Sequence, residues 1–190
     1  RVFVNAMQLS LHETITLQGG HTYGHVHREY SGFGSRRSQR SLMKHPKTNA
    51  WDETPAEFDN EYFDSLVNEP WINVQRGRKR NLNFWLVKEK GHELTIMLNA
   101  DMEIAFFSNH DEDHARSPFG NIGINGELCS TDAVDGEYGC FHKWKNNPGK
   151  PGWPETYDQC AEYIEDNELF LKDWELAYDR MTTVGYSVEG

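Results

Sequence analysis

The sequence predicts a mostly α-helical domain with a minor β element, and three observations carry that expectation. Phe170, Leu171, Trp174, Ala177, Tyr178 and Met181 recur at helical intervals across 168–184. Ser10 followed three residues later by Glu13 is the S-x-x-E signature of a helix N-terminus. Two strand-like runs, 81–88 and 93–97, flank Lys90-Gly91 and read as a small β-hairpin.

The remaining elements follow in chain order. Val2 to Met7 read as the tail of a helix that begins before Arg1. Ser10 caps a helix from Leu11 to about His27, with Leu11, Ile15 and Leu17 near helical spacing. Gly19, Gly20 and Gly24 are poor helix formers, each costing up to ~1 kcal/mol relative to Ala. Something is therefore expected to pack close against that backbone. Residues 31–48 are polar and basic (Arg36, Arg37, Arg40, Lys44, Lys47) and read as an exposed loop. Pro55 and Asp59 open a further helix whose buried side carries Phe58, Tyr62, Phe63, Leu66 and Val67. Asn99 to Phe107 reads as a short helix. Residues 108–155 are rich in Gly, Pro and Asn with little periodicity, and long segments of that kind are usually functional insertions or partner surfaces. No internal repeat is present.

Composition excludes several classes of function. A chain of 190 residues is long enough for one sizeable core, so one domain is expected. No apolar run is long enough for a membrane span, and the mean hydropathy is −0.78. A net charge of −11 argues against nucleic acid, whose phosphates demand clustered Lys and Arg, and suits a basic protein partner. Three cysteines, Cys129, Cys140 and Cys160, leave one unpaired in any scheme and exclude a disulfide-rich scaffold. The chain opens at Arg1 with neither Met nor a signal-peptide pattern, which suggests processing or further residues upstream.

The densest chemical signal is Gly19-Gly20-His21-Thr22-Tyr23-Gly24-His25-Val26-His27. On the residues alone three readings stand open. His21 and His25 have the i, i+4 spacing of zinc ligands. Alternatively, one histidine ligates a haem iron while the glycines let the backbone lie against the flat macrocycle. The third reading is that these histidines hold no ligand.

The wider pattern bears on that choice. Gly19-Gly20-His21-Thr22-x-Gly24-x-x-His27-x-x-x-Ser31-Gly32-Phe33 resembles the proximal-helix motif of the class I haem peroxidases, the group of ascorbate and cytochrome c peroxidases. The preceding Met7-x-Leu9-Ser10, Glu13 and Thr16-Leu17 are similar to the same proteins. Phe58-Asp59-Asn60-x-Tyr62-Phe63-x-x-Leu66 resembles their next helix, and Asn68-Glu69-Pro70-Trp71 its cytochrome c peroxidase version. Leu98-Asn99-Ala100-Asp101 is similar to the family's Leu-Pro-x-Asp, and Tyr157 with Tyr163-x-x-Asp166-x-x-x-Phe170-x-x-Asp173-Trp174 to its closing segment. These motifs occur in family order and span nearly the whole chain.

The resemblance implies a fold: the C-terminal, haem-ligating half of the haem-dependent peroxidase domain, with insertions at about 34–48 and 108–155. It implies haem b bound through His21, whose nitrogen would reach the iron. Asp101 would accept the other ring N–H and fix the tautomer, although an Asp there also suits a helix N-cap. His27 would stand beside a haem propionate. For the proximal tryptophan, counting from His21 reaches Arg37, whereas counting back from Phe58-Asp59 reaches Trp51. Trp51 is preferred because it confines the difference to one polar insertion. Thr22, Asp52, Thr54 and Asp59 match a cation site that some relatives use for K or Ca, and their oxygens suit a hard ion.

Two departures qualify the resemblance. Tyr30 stands where the family has its ascorbate-contacting arginine, which disfavours ascorbate as reductant. No segment resembles the helix carrying the distal Arg and His whose acid–base chemistry cleaves peroxide. The expectation is a peroxidase-like subunit, structural or accessory, inside a larger complex in which another chain covers the distal face. The alternative is a split peroxidase that reduces hydrogen peroxide with a partner supplying the distal half. The family's habits suggest an organelle, the mitochondrion first and the plastid second. Elsewhere, His110-Asp111-Glu112-Asp113-His114 and the set Cys129, Cys140 and His142 contain ligand-type residues, but a solvated acidic loop and unpaired thiols explain them as well. Arg76-Gly77-Arg78-Lys79-Arg80 reads as an ion-paired surface or protein contact, and Phe141, Trp144 and Trp153 as aromatics available to a partner.

Overall fold

The computed structural model describes residues 2–34, 47–69, 71–76, 82–89, 92–105 and 155–185. After a π-helical turn at Val2–Ala6, helix α1 (Leu11–Gln18) begins at the expected capping box. The Glu13 N–H donates to Ser10 Oγ at 3.1 Å, and Glu13 Oε2 accepts the Ser10 N–H at 2.6 Å. The helix does not run to His27. It tightens into a 3-10 turn at Gly19–Thr22, Tyr23 is extended, and Gly24 turns the chain at φ +98°. At Gly19 and Gly20 the close approach is made by this chain's own rings, whereas nothing lies close to Gly24. A Cβ on Gly19 would lie 2.7 Å from both Phe63 and Phe170, and one on Gly20 would lie 3.3 Å from the Trp174 indole nitrogen.

A short helix α2 (Arg28–Ser31) follows, closed by Gly32 in the left-handed region. Helix α3 (Glu61–Asn68) starts later than Pro55 and Asp59 suggested. Tyr62, Phe63, Leu66 and Val67 are buried as expected. Phe58 lies before the helix and is exposed, with its ring 4.6 Å from that of Trp174. The buried Trp71 closes the element, its indole N–H donating to the carbonyls of Ser65 and Leu66.

The expected hairpin is present as β2 (Leu82–Glu89) and β3 (His92–Leu98). A third strand, β1 (Ile72–Arg76), joins it in an antiparallel sheet of order β1-β2-β3. Among the described side chains, β2 and β3 are buried on both faces, following the period-two alternation of strand side chains. Phe84, Leu86 and Ile96 pack with Val26 on one side, while Val87 and Met97 join the helical core on the other. Helix α4 (Asn99–Ala105) leaves the sheet directly, and α5 (Glu155–Glu165) and α6 (Asn167–Thr183) complete the helical layer. Asp166 caps α6 by accepting the Leu169 N–H. Asn60 ties the start of α3 to the end of α5, its amide donating to the Tyr163 carbonyl at 2.7 Å. Ile15, Tyr62, Phe63, Leu66, Tyr163 and Phe170 form the centre of the core.

Both expected insertions fall almost wholly outside the described residues. So do Arg37, Arg78, Lys79, Arg80, His110, His114, Cys129, Cys140, His142, Phe141, Trp144 and Trp153. Among the described residues, no helix is long and apolar enough to cross a membrane.

Candidate functional site

Three backbone elements converge on His21. The 3-10 turn after α1 carries the histidine itself, and the first turn of α4 carries Asp101. The third is the segment through Ala50, which is held between two neighbours. The Val26 N–H donates to the Asn49 carbonyl and the Ile96 N–H to the Ala50 carbonyl, each at 2.8 Å, and Ala50 forms an antiparallel bridge with His25. Held this way, Trp51 stacks on His21 with ring centroids 3.9 Å apart and planes within 6°.

His21 Nδ1 and Asp101 Oδ1 are 2.8 Å apart, and Asp101 is fully buried. The same oxygen accepts from the Gln18 amide at 2.6 Å and the Tyr62 hydroxyl at 2.8 Å, while Oδ2 accepts the Leu98 N–H at 2.8 Å. Burial pushes the Asp101 carboxyl up, but the hydrogen bond and charge of His21, with the bonds from Gln18 and Leu98, outweigh it and hold it below its ordinary value. Burial, with Asp101 alongside, pushes the Tyr62 phenol well above its ordinary value, so it stays a donor. An ionised carboxylate only accepts. Nδ1 is therefore the donor in this bond, and Nε2 is the ring nitrogen that Asp101 does not engage. Among the described residues no hydrogen bond engages Nε2, and a third of the side chain is exposed. A histidine whose Nδ1–H is held by a buried carboxylate leaves Nε2 as the nitrogen that could ligate a metal ion.

Immediately beside this, Thr22 starts a second buried cluster. Its hydroxyl lies 2.5 Å from Asp52 Oδ2 and 3.0 Å from Asp59 Oδ1. Thr54 contributes its N–H to Asp52 Oδ1 at 3.0 Å and its hydroxyl to Asp59 Oδ2 at 3.1 Å. Burial pushes the Asp52 carboxyl up to about 6, against the bonds from Thr22 and Thr54 and with Asp59 adding to the rise.

Comparison with known proteins finds similarity over part of the chain. A probable peroxisomal L-ascorbate peroxidase 3 of Oryza sativa subsp. japonica is 32% identical over 110 residues, 58% of this chain and 32% of the relative. A cytosolic L-ascorbate peroxidase 2 of the same plant is 31% identical over 121 residues, 61% of this chain and 39% of the relative. A mitochondrial cytochrome c peroxidase of Cryptococcus neoformans is 27% identical over 122 residues, 57% of this chain and 29% of the relative. These similarities are consistent with a class I haem-peroxidase region in this chain. The matched stretch spans about a third of the length of those relatives. No family profile matches the chain.

Of the residues singled out by the peroxidase resemblance, the fold gathers His21, Asp101 and Trp51 into one cluster and Thr22, Asp52, Thr54 and Asp59 into its neighbour. It does not bring His27 into contact with either. That side chain is largely exposed at the start of α2, 3.4 Å from Glu29 and with its ring 5.9 Å from that of Tyr30. Tyr30 is itself exposed. His21 and His25 do not share a continuous helix, so the i, i+4 zinc spacing is not realised. Gly24 breaks the helix between them, and no metal-holding group of three His, Cys, Asp or Glu residues occurs among the described residues. Sequence reasoning missed Gln18 and Tyr62 as partners of Asp101. Tyr62 was visible only as a core position, and a polar Gln one turn before His21 was the available signal for the other.

Proposed function

We propose that this chain is a peroxidase-like subunit that binds haem b through His21 Nε2 and works inside a larger complex, not as a catalyst by itself. The observation that carries the reading is the His21–Asp101 hydrogen bond at 2.8 Å under the stacked Trp51. The donor set fits the group. Asp101 fixes the Nδ1–H tautomer, the turn at Gly19–Thr22 sets the ring's height, and Trp51 blocks rotation of the imidazole about its own plane. Bound haem would supply one-electron and peroxide chemistry. His27 beside a propionate remains part of the proposal, and its exposed ring is free to turn towards an anion. Thr22, Asp52, Thr54 and Asp59 would hold a K or Ca ion, whose charge would favour the ionised form of Asp52.

Tyr30, standing where the family's ascorbate-contacting arginine is expected, disfavours ascorbate as the reductant in either reading. In the accessory reading a separate polypeptide would cover the distal face. The retained Asp101 and Trp51 favour a second reading, a split peroxidase whose partner supplies the distal half and which reduces hydrogen peroxide. Relatives carry peroxisomal and mitochondrial names, and we place this chain in the mitochondrion, with the plastid as the alternative. The native complex, isolated without added haem and then titrated with haemin, should show a Soret band that saturates at one equivalent. A flat titration would contradict haem binding. Stoichiometric peroxide consumption by the purified complex would select the split-enzyme reading, and its absence the accessory one.

A further inference from the structure

His21 does not have Asp101 to itself. A carboxylate oxygen offers about two lone-pair directions, yet Oδ1 faces three donors: Gln18 Nε2 at 2.6 Å, His21 Nδ1 at 2.8 Å and Tyr62 Oη at 2.8 Å. Oδ2 is turned away to the Leu98 N–H at 2.8 Å, at the junction of β3 and α4, and none of the three side-chain donors is bonded to it. The Gln18 amide also lies 3.1 Å from His21 Nδ1 itself. Since both groups must donate to the acceptor-only carboxylate, that contact sets two donors against each other, and the amide competes with the imidazole for Oδ1.

From this geometry we propose that Gln18 and Tyr62 are positioning residues that divide Asp101 Oδ1 with His21 and so limit how strongly the carboxylate draws the Nδ1 proton. This rests on the haem reading only where it concerns iron. A carboxylate that pulls on Nδ1–H gives the imidazole anionic character and stabilises oxidised iron. Two competing donors reduce that pull, leaving His21 a more neutral ligand and shifting the bound iron towards the reduced state. Tyr62 is held in place independently of its hydroxyl, its ring packing against Phe63 at 5.1 Å in the core. Gln18 is the last residue of α1, so its side chain reaches the site from outside the core.

The test uses Tyr62→Phe, which removes one hydroxyl and keeps the ring, and Gln18→Met, which keeps the length and removes the donor. In the haem-free full-length protein, the ¹⁵N and ¹H resonances of His21 Nδ1–H report the bond directly. Each variant should move the proton downfield as the bond to Asp101 tightens, with the double variant moving furthest. In the haem-loaded protein the same order should appear as a rising iron–histidine stretching frequency. The ferric-to-ferrous ratio at a fixed potential should rise by about tenfold in the double variant, the scale of one charged hydrogen bond. Unchanged His21 resonances in both variants, with the fold intact by circular dichroism, would overturn the proposal. Failure to take up haem with the resonance shifts present would instead count against the haem reading and leave the division of Oδ1 standing.

Discussion

Adjacent residues, His21 and Thr22, each address a fully buried aspartate, and the two aspartates respond in opposite directions. Asp101 is held below its ordinary value, while Asp52 is raised to about 6. Burial pushes both up, so burial is not what separates them. Asp101 meets four donors, one of them an imidazole able to carry charge. Asp52 meets a threonine hydroxyl and one backbone N–H, and a second carboxylate, Asp59, is close enough to add to its rise. A buried carboxylate is comfortable only when donors and positive charge offset its desolvation. The first cluster supplies that from its own side chains. The second does not, and a cation is what would complete it.

Removing Asp101 should have the largest effect. Asp101→Ala leaves the Tyr62 hydroxyl and the Leu98 N–H buried without acceptors, and should destabilise the full protein by about 3–5 kcal/mol in urea denaturation. A loss below about 1 kcal/mol would mean that the four bonds do not hold the site together.

Asp52 should give the next largest effect, and its sign is opposite to that of most carboxylates. Its folded value lies above the unfolded one, so the folded protein holds a proton there that the unfolded chain has released. The stability this contributes is complete below about 4 and is lost as pH rises to about 6. The loss should be of the order of 2 kcal/mol, read from denaturation midpoints between pH 4 and pH 7, and Asp52→Asn should flatten that slope. Asp101 runs the other way: its contribution is present above the ordinary carboxylate range and disappears on acidification below it.

Adding K or Ca at neutral pH should raise the melting temperature by a few degrees, and by much less at pH 4, where a proton already occupies Asp52. Equal shifts at both pH values would place the ion elsewhere. The smallest effect is expected from Thr22→Val, about 1 kcal/mol at pH 7, because it removes the hydroxyl that partly offsets the burial of Asp52. The same change should move the Asp52 transition to higher pH.

Much of this was legible in the sequence where the cause is local. The capping box of Ser10 and Glu13, the period of α6 and the paired strands on either side of 90–91 depend on residues a few positions apart, and all three appear where expected. Trp51 was reached by confining an insertion, and the backbone bonds around Ala50 explain why that residue meets His21. What was not legible depends on distant partners. The helix expected to reach His27 ends at Gln18, tightens into a 3-10 turn where only a glycine fits beside Phe63 and Phe170, and is turned away at Gly24 by a positive φ. Strand β1 could have been read from the alternation of Ile72 and Val74 with polar neighbours. Gln18 and Tyr62 could not have been assigned to Asp101, since only the fold brings residues 18, 62 and 101 to one oxygen.

The central claim is that His21 is prepared, by Asp101 and Trp51, to bind haem iron. The most direct measurement is the absorption spectrum of the haem-loaded native complex beside its His21→Ala variant, with His25→Ala and His27→Ala as controls. His21→Ala alone should lose the imidazole-ligated Soret and visible bands and regain them when free imidazole is added. An unchanged spectrum in His21→Ala, or its loss in His25→Ala or His27→Ala, would contradict the account.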